Sequence, residues 1–375
     1  MKAVFPRNRN RPSPDPPKLS SSTNGICQLR GSPRNDTAML KVKVSTPFPQ
    51  EPIIRQTPGR RGIWGNCRFY INEKIDQCDF WVVYEGLLNP EKAICPASNV
   101  IFLTGEPPEF RRYNGEFLKQ FATVVTPSRY IKHHHMVHTQ TGLPWHVGRT
   151  VVADLETYPF KMDYDRLKAA NWFSKDRLIS IISSSKTAMP GHAKRLGFAH
   201  ALQARIGAEL DFFGRDIRCI EDKWDAIAPY KYHIVIENSV YPDYWTEKLA
   251  DAFLAGAYPI YFGCPNLEKY FSTESYATID IEDIEGSTSR IREIINGGKY
   301  EVSQEAIARA RQLILDKYNM FAVIAELCDS QAPNAAESEV FLRPEYKYSA
   351  RLRTRSAIRP RSRYNKLRDC FARVG

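Results

Sequence analysis

The sequence predicts an α/β protein of two domains, each built on a parallel sheet, and three observations carry that prediction. The chain has 375 residues, enough for two separate cores. The segment from Tyr230 to Gly263 reads strand, polar turn, helix, strand, and a βαβ unit requires parallel pairing. Short β-branched apolar runs recur on both sides of it, separated by polar or helical stretches. With 43% hydrophobic and 12% aromatic residues the composition is globular, not fibrous or disordered.

Residues 1–36 are rich in Pro, Ser, Asn and Arg with almost no apolar content, which predicts a disordered arm. Met39 to Val44 alternates and predicts the first strand of a domain spanning 37–170; Pro47 to Arg61 is expected to be a loop. Phe80 to Tyr84 (FWVVY) and Asn99 to Thr104 (NVIFLT) are buried strands, and the second ends in Gly105-Glu106-Pro107-Pro108. A helical stretch is expected from Phe110 to Phe121 and another strand from Phe121 to Val125. His133-His134-His135-Met136-Val137-His138 reads as a polar loop or helix over a cleft. Only His134 and His138 could share a helix face, and no carboxylate or cysteine cluster stands nearby, so a metal site is not expected.

A second domain is predicted over 171–330. Leu178 to Ser185 is its first strand, opening into a serine-rich turn before a helix that carries Lys194, Arg195, Phe198 and Leu202. Asp211 to Gly214 ends another strand. In the Tyr230–Gly263 unit the strand ends at Glu237, Asn238 and Ser239, and Asp243 is placed as the N-cap of a helix closed by Gly256. Trp245, Leu249, Ala252, Phe253 and Gly256 form its apolar face. Ligands in such sheets bind where strands end and helices begin. A cation such as Lys248 beside free helical N–H groups suits a diphosphate, and a carboxylate such as Glu247 suits ribose hydroxyls. Tyr276 to Ile281 completes the strands; Ser287 to Ile295 and a long Ser303 to Leu327 are read as helices.

Eight scattered cysteines without a C-x-x-C pair point to free thiols and give no metal knuckle. The formal charge is +11, of which +9 falls between Arg343 and Gly375, inside a basic tail at 331–375. The remainder is near neutral, and no aromatic-basic RNA motif appears in it, so a nucleic-acid-binding protein is the weaker alternative. Beyond Pro360, Tyr364, Leu367, Phe371 and Val374 recur at helical steps among basic residues, a pattern suited to an anionic membrane surface; a tail that binds nothing is the competing reading.

The central stretch resembles the family 10 glycosyltransferases, the α-1,3/1,4-fucosyltransferases. The resemblance rests on Ile236-Glu237-Asn238-Ser239, Asp243-Tyr244-Trp245-Thr246-Glu247-Lys248-Leu249, Ala255-Gly256 and Pro259, with Ile236 and Trp245 replacing a usual Phe and a smaller apolar residue. Looser similarity runs from about Asn99 to about Asp280. It implies two Rossmann-like domains facing a cleft, the GT-B arrangement, and inverting transfer of fucose from GDP-fucose to a glycan hydroxyl. Glu106 is then the catalytic base, with Glu109 as runner-up. Arg195, seven residues before Leu202, contacts the donor phosphates, with Lys194 as its close alternative. Glu237, Asn238, Ser239, Tyr244, Glu247 and Lys248 complete donor binding. No cofactor is required, although stimulation by a divalent cation stays open. Another nucleotide sugar such as GDP-mannose is the alternative donor. No run is long enough to span a membrane and Met1 to Pro17 lacks a signal-peptide core, which implies a bacterial-type cytoplasmic enzyme, held by its tail beside a lipid-linked acceptor.

Overall fold

The computed structural model describes residues 39–107, 111–152, 155–170, 174–183, 190–214, 216–330 and 336–348. The expected arm at 1–36, Glu109 and the basic residues from 349 onward lie outside the described residues.

Two parallel sheets organise the described chain. The first runs Ile63–Trp64, Cys67–Ile71, Leu40–Ser45, Phe80–Tyr84, Val100–Leu103, Thr123–Val125, Met136–Val137; only the Ile63–Trp64 pairing is antiparallel. The second runs Leu210–Phe213, Arg177–Ile182, Tyr230–Ile236, Tyr258–Phe262, Ala277–Thr278, and is parallel throughout. Phe80–Tyr84 is buried along its whole length, as expected of a central strand covered on both faces. In each sheet the first strand in sequence has its successors on both sides. Strand order therefore reverses between Leu40–Ser45 and Phe80–Tyr84 in one sheet, and between Arg177–Ile182 and Tyr230–Ile236 in the other. Such reversal points leave a crevice beyond the strands' carboxyl ends.

Several expectations need correction. The helix predicted over Phe110–Phe121 is one turn, Gly115–Leu118, capped by Asn114. The histidine run contributes a two-residue edge strand, Met136–Val137, so His134 and His138 share no helix face. The single helix expected over Ser303–Leu327 is two, Gln304–Asp316 and Met320–Asp329. Asn319 breaks it: its side chain accepts the Phe321 N–H at 3.1 Å and donates to the Gln56 carbonyl at 2.7 Å. Met320, Phe321, Ile324, Ala325 and Cys328 then pack into the core of the first sheet, while Trp145, Val147, Tyr164 and Leu167 join the core of the second. The halves thus divide near residue 145 and near residue 318, not at 170 and 330. Part of the expected tail is also built in, since Glu337–Leu342 pairs antiparallel with Glu91–Pro96. Cys67, Cys78, Cys95, Cys264 and Cys328 are buried free thiols. No helix among the described residues is long and apolar enough to cross a membrane.

Candidate active site

The carboxyl ends of both sheets open on one cavity of about 210 Å³. Thr46, Glu85 and Glu106 line it from the ends of three strands of the first sheet, Asn238 from the end of Tyr230–Ile236, and Tyr244, Thr246, Glu247 and Lys248 from the turn and helix that follow. His146, from the connection between the halves, completes one wall.

Tyr230–Ile236 ends at Glu237 because that carboxylate turns inward. Glu237 is 2% exposed and accepts the Thr246 backbone N–H at 2.8 Å and its hydroxyl at 2.7 Å. Burial raises its pKa against the pull of Lys248, 3.4 Å away. Gly263 makes room for it: a Cβ there would meet Glu237 Cγ at 2.6 Å. Thr246, not Asp243, is the N-cap of the Glu247–Leu254 helix, its hydroxyl accepting the Lys248 N–H. Asp243 sits in the left-handed region at φ 65° and is a hub instead. Its buried carboxylate accepts from Tyr270 (2.7 Å), Lys269 (3.0 Å) and Asn266 (3.1 Å), and from Arg129 of the first half at 2.7 Å. Burial pushes this carboxyl up, but those partners hold it below the usual carboxylate range.

Lys248 lies between Glu247 (3.2 Å) and Glu237 (3.4 Å) and also donates to the Thr246 hydroxyl at 3.0 Å. Burial opposes its charge, yet the two carboxylates raise its pKa. Glu247 is held well below the usual carboxylate range: burial works against it, and Lys248 above all outweighs burial. His146 Nδ1 is 3.9 Å from Glu247. Burial first, then Arg149 and Lys223, lower the imidazole pKa well below its ordinary value. Its backbone N–H is fixed by Asp251 at 2.9 Å.

Arg195 lies at the reversal point of the second sheet. Its guanidinium donates to the Ser183 hydroxyl, which follows Arg177–Ile182, at 3.3 Å, and to the Asn238 side-chain oxygen. It therefore ties together the two strand ends that flank the crevice. Lys194 instead faces outward to Glu282 at 2.7 Å. Arg195 does not itself line the cavity; Asn238, which it holds, does. Glu237 and Ser239 are likewise not among the residues that line the cavity. Glu237 thus buttresses the turn and is not placed to touch a ligand in the cavity.

Across from the helix start, Glu106 hangs from a turn fixed by Glu85. Glu85 is 1% exposed, in the left-handed region at φ 64°. One of its oxygens accepts the backbone N–H groups of Gly105 and of Glu106, the latter at 2.9 Å; the other accepts from Tyr113 at 2.8 Å and Arg111 at 3.3 Å. Gly105 is needed for close packing, not for flexibility: a Cβ would meet Leu143 Cδ2 at 2.7 Å and Glu85 Oε1 at 3.2 Å. Sequence reasoning singled out neither Glu85 nor His146. The only available signals were a carboxylate ending a predicted strand (VVYE) and a histidine beside Pro144-Trp145. Among the described residues no three His, Cys, Asp or Glu side chains gather to hold a metal ion.

Residues 172–294 match the family model of the glycosyltransferase family 10 (fucosyltransferase) C-terminal domain. Over these residues the second α/β unit is similar to glycosyltransferase family 10. The match contains Arg195 and the whole Ile236–Leu249 stretch. Similar curated proteins include the mouse (Mus musculus) 4-galactosyl-N-acetylglucosaminide 3-alpha-L-fucosyltransferase 9, 34% identical over 115 residues, 29% of this chain and 30% of that protein. GDP-fucose protein O-fucosyltransferase 3 of Xenopus tropicalis is 43% identical over 53 residues, 14% of this chain and 11% of that protein. The chain thus spans less than a third of the length of these curated relatives. Among solved structures, an α1,3-fucosyltransferase with GDP-fucose aligns over 80% of this chain and 93% of its own at 15% identity, with a TM-score of 0.45.

Proposed function

We propose that the chain is an inverting α-1,3-fucosyltransferase that moves L-fucose from GDP-fucose to a hydroxyl of a glycan. One observation carries the reading: a half-buried carboxylate, Glu106, faces a lysine-bearing helix start, Thr246–Lys248, across a cavity on which the reversal points of both sheets converge. The donor comes from the relatives, named as fucosyltransferases and as a GDP-fucose enzyme.

In this scheme the diphosphate lies at the start of the Glu247–Leu254 helix. Lys248 exchanges part of its pairing with Glu237 and Glu247 for phosphate oxygens, and Arg195 adds positive charge while holding Asn238 towards the donor. Glu247, Asn238 and Tyr244 orient the nucleoside and sugar by hydrogen bonds. Glu106 takes the proton of the acceptor hydroxyl. The freed oxygen pair attacks the anomeric carbon from the face opposite the diphosphate, and the carbon–oxygen bond to GDP breaks with its electrons going to the phosphate. Negative charge grows there in the transition state, where Lys248 is already placed. The scheme needs no cofactor, and a divalent cation would only supplement that charge. Beside this, the basic residues from Arg343 onward suit attachment to an anionic membrane, which would place the enzyme near a lipid-linked acceptor.

The test is a donor panel with a glycan array: GDP-fucose, GDP-mannose and UDP-sugars, with product linkage and anomeric configuration read by NMR. Transfer from GDP-fucose with inversion supports the reading. Transfer from GDP-mannose alone reassigns the donor, and no turnover of any nucleotide sugar overturns it.

A further inference from the structure

A second cavity, of about 540 Å³, lies beyond the Glu106 turn, wholly within the first half. Among the described residues Glu106 is the one that lines both cavities. A molecule in the second cavity can therefore reach the same carboxylate from a space separate from the one proposed for the donor. Its wall has a consistent chemistry. Arg111, Arg112 and Lys132 line it, and Glu106 is its only acidic residue among those described.

The three cations are not equivalent. Arg111 is committed to the protein, 3.3 Å from both Glu85 and Glu345 and stacked 4.8 Å over the Tyr113 ring. Arg112 and Lys132 are exposed and make no hydrogen bond or ion pair with another described residue. Two unneutralised cations at the open side of a concave surface create a field that favours an anion there. Two aromatic rings share the wall. Tyr113 is held edge-on to Phe102 at 5.0 Å and by its hydroxyl on Glu85, and Tyr130 stands 68% exposed. Fixed rings next to free cations suit a saccharide whose apolar C–H face stacks while a charged substituent reaches the basic groups.

Resting on the transferase reading above, we propose that this cavity receives the acceptor and selects a glycan bearing an anionic substituent, recognised by Arg112 and Lys132. The anion is a carboxylate or a phosphate or sulfate ester on the acceptor sugar or the residue next to it. The accepting hydroxyl stays neutral and faces Glu106.

The test uses the full chain with GDP-fucose and three acceptors on one oligosaccharide backbone: neutral, sialylated and phosphorylated. We expect kcat/KM for at least one acidic acceptor to exceed that for the neutral one by roughly fivefold or more per cation engaged, with the advantage shrinking as salt rises. The acidic-to-neutral ratio should collapse in Arg112→Gln/Lys132→Gln, whose folding is checked by its GDP-induced thermal shift. The sialylated and phosphorylated arms tell which anion is read. Equal kcat/KM for neutral and acidic acceptors, or a preference that survives the double substitution, overturns the proposal. Ligand-observed NMR of the same saccharides on the GDP-saturated protein gives a readout independent of turnover. Equal binding of neutral and acidic forms there also overturns it. Selective acidic binding without transfer from any nucleotide sugar leaves the cavity assignment standing and defeats the transferase reading instead.

Discussion

Glu85→Gln isolates the scaffold of the proposed base from the base itself. Gln adopts the left-handed backbone as readily as Glu, so strain does not change, but one acceptor oxygen becomes a donor amide. Each oxygen of Glu85 now takes two donors, Gly105 and Glu106 on one side and Tyr113 and Arg111 on the other. The least costly arrangement keeps the oxygen on the two backbone N–H groups and turns the amide to the Tyr113 hydroxyl, which can accept. Arg111 then loses one of its two carboxylates and keeps Glu345. A hydrogen bond to a charged group contributes about 1.5–3 kcal/mol, and the surviving bonds to the turn become neutral ones worth about 1 kcal/mol each. The total loss is about 2–4 kcal/mol of stability. Because the weakened bonds orient Glu106, turnover should also fall, by roughly 10- to 100-fold, as a displacement near 1 Å would cause. Chemical denaturation with single-turnover kinetics measures both, and calorimetric GDP affinity, set across the cavity, should stay near wild type. A variant with wild-type turnover would refute the claim that Glu85 positions the Glu106 turn.

Glu106→Gln keeps the shape and removes the base, so turnover should drop by roughly 100-fold or more with GDP affinity retained; if Glu109→Gln is the variant that loses turnover, the base is misassigned. Lys248→Ala removes a charge-assisted contact to phosphate, and calorimetry should read a loss of GDP affinity of roughly tenfold or more. Arg195→Ala should weaken GDP to a similar extent and also release Asn238; unchanged GDP binding in both variants would sink the donor-site assignment. The full-length chain should sediment with anionic vesicles at low salt and come off at high salt, each basic residue contributing about 1 kcal/mol, whereas a chain ending at Tyr348, which keeps the Glu337–Leu342 strand and Glu345, should not; equal sedimentation of the two removes the tail as anchor.

The sequence made the second sheet readable because its signals are local. A βαβ unit announces itself in thirty-odd consecutive residues, and the polar string between strand and helix sits where physics puts ligands. What escaped was set by distant partners. Asp243 looked like an N-cap because a carboxylate before an apolar helix face usually is one. Its real partners, Arg129 on one side and Asn266, Lys269 and Tyr270 on the other, come from two separate stretches. The Ser303–Leu327 pattern keeps its helical period through the break, and Asn319 ends it only because Gln56 waits for its amide. Glu85 was invisible for the same reason: nothing in VVYEGL tells that its carboxylate meets backbone groups twenty residues on. The strand Cys67–Ile71 was missed because Arg68 and Tyr70 interrupt its apolar run.

The return of Met320–Asp329 to the first core has a mechanical consequence. A chain that crosses once between two bodies leaves them free to swing and twist about a single tether. Here the polypeptide crosses near residue 145 and again near residue 318, and the second crossing is fastened by Asn319 on Gln56. Two pinned points resist sliding and twisting more than a single tether would, as the paired pins of a clasp do. The Arg129–Asp243 contact at 2.7 Å bridges the bodies as the latch of that clasp. For a reaction that must bring a carboxylate on one body to a sugar held by the other, resistance to sliding and twisting favours a repeatable alignment.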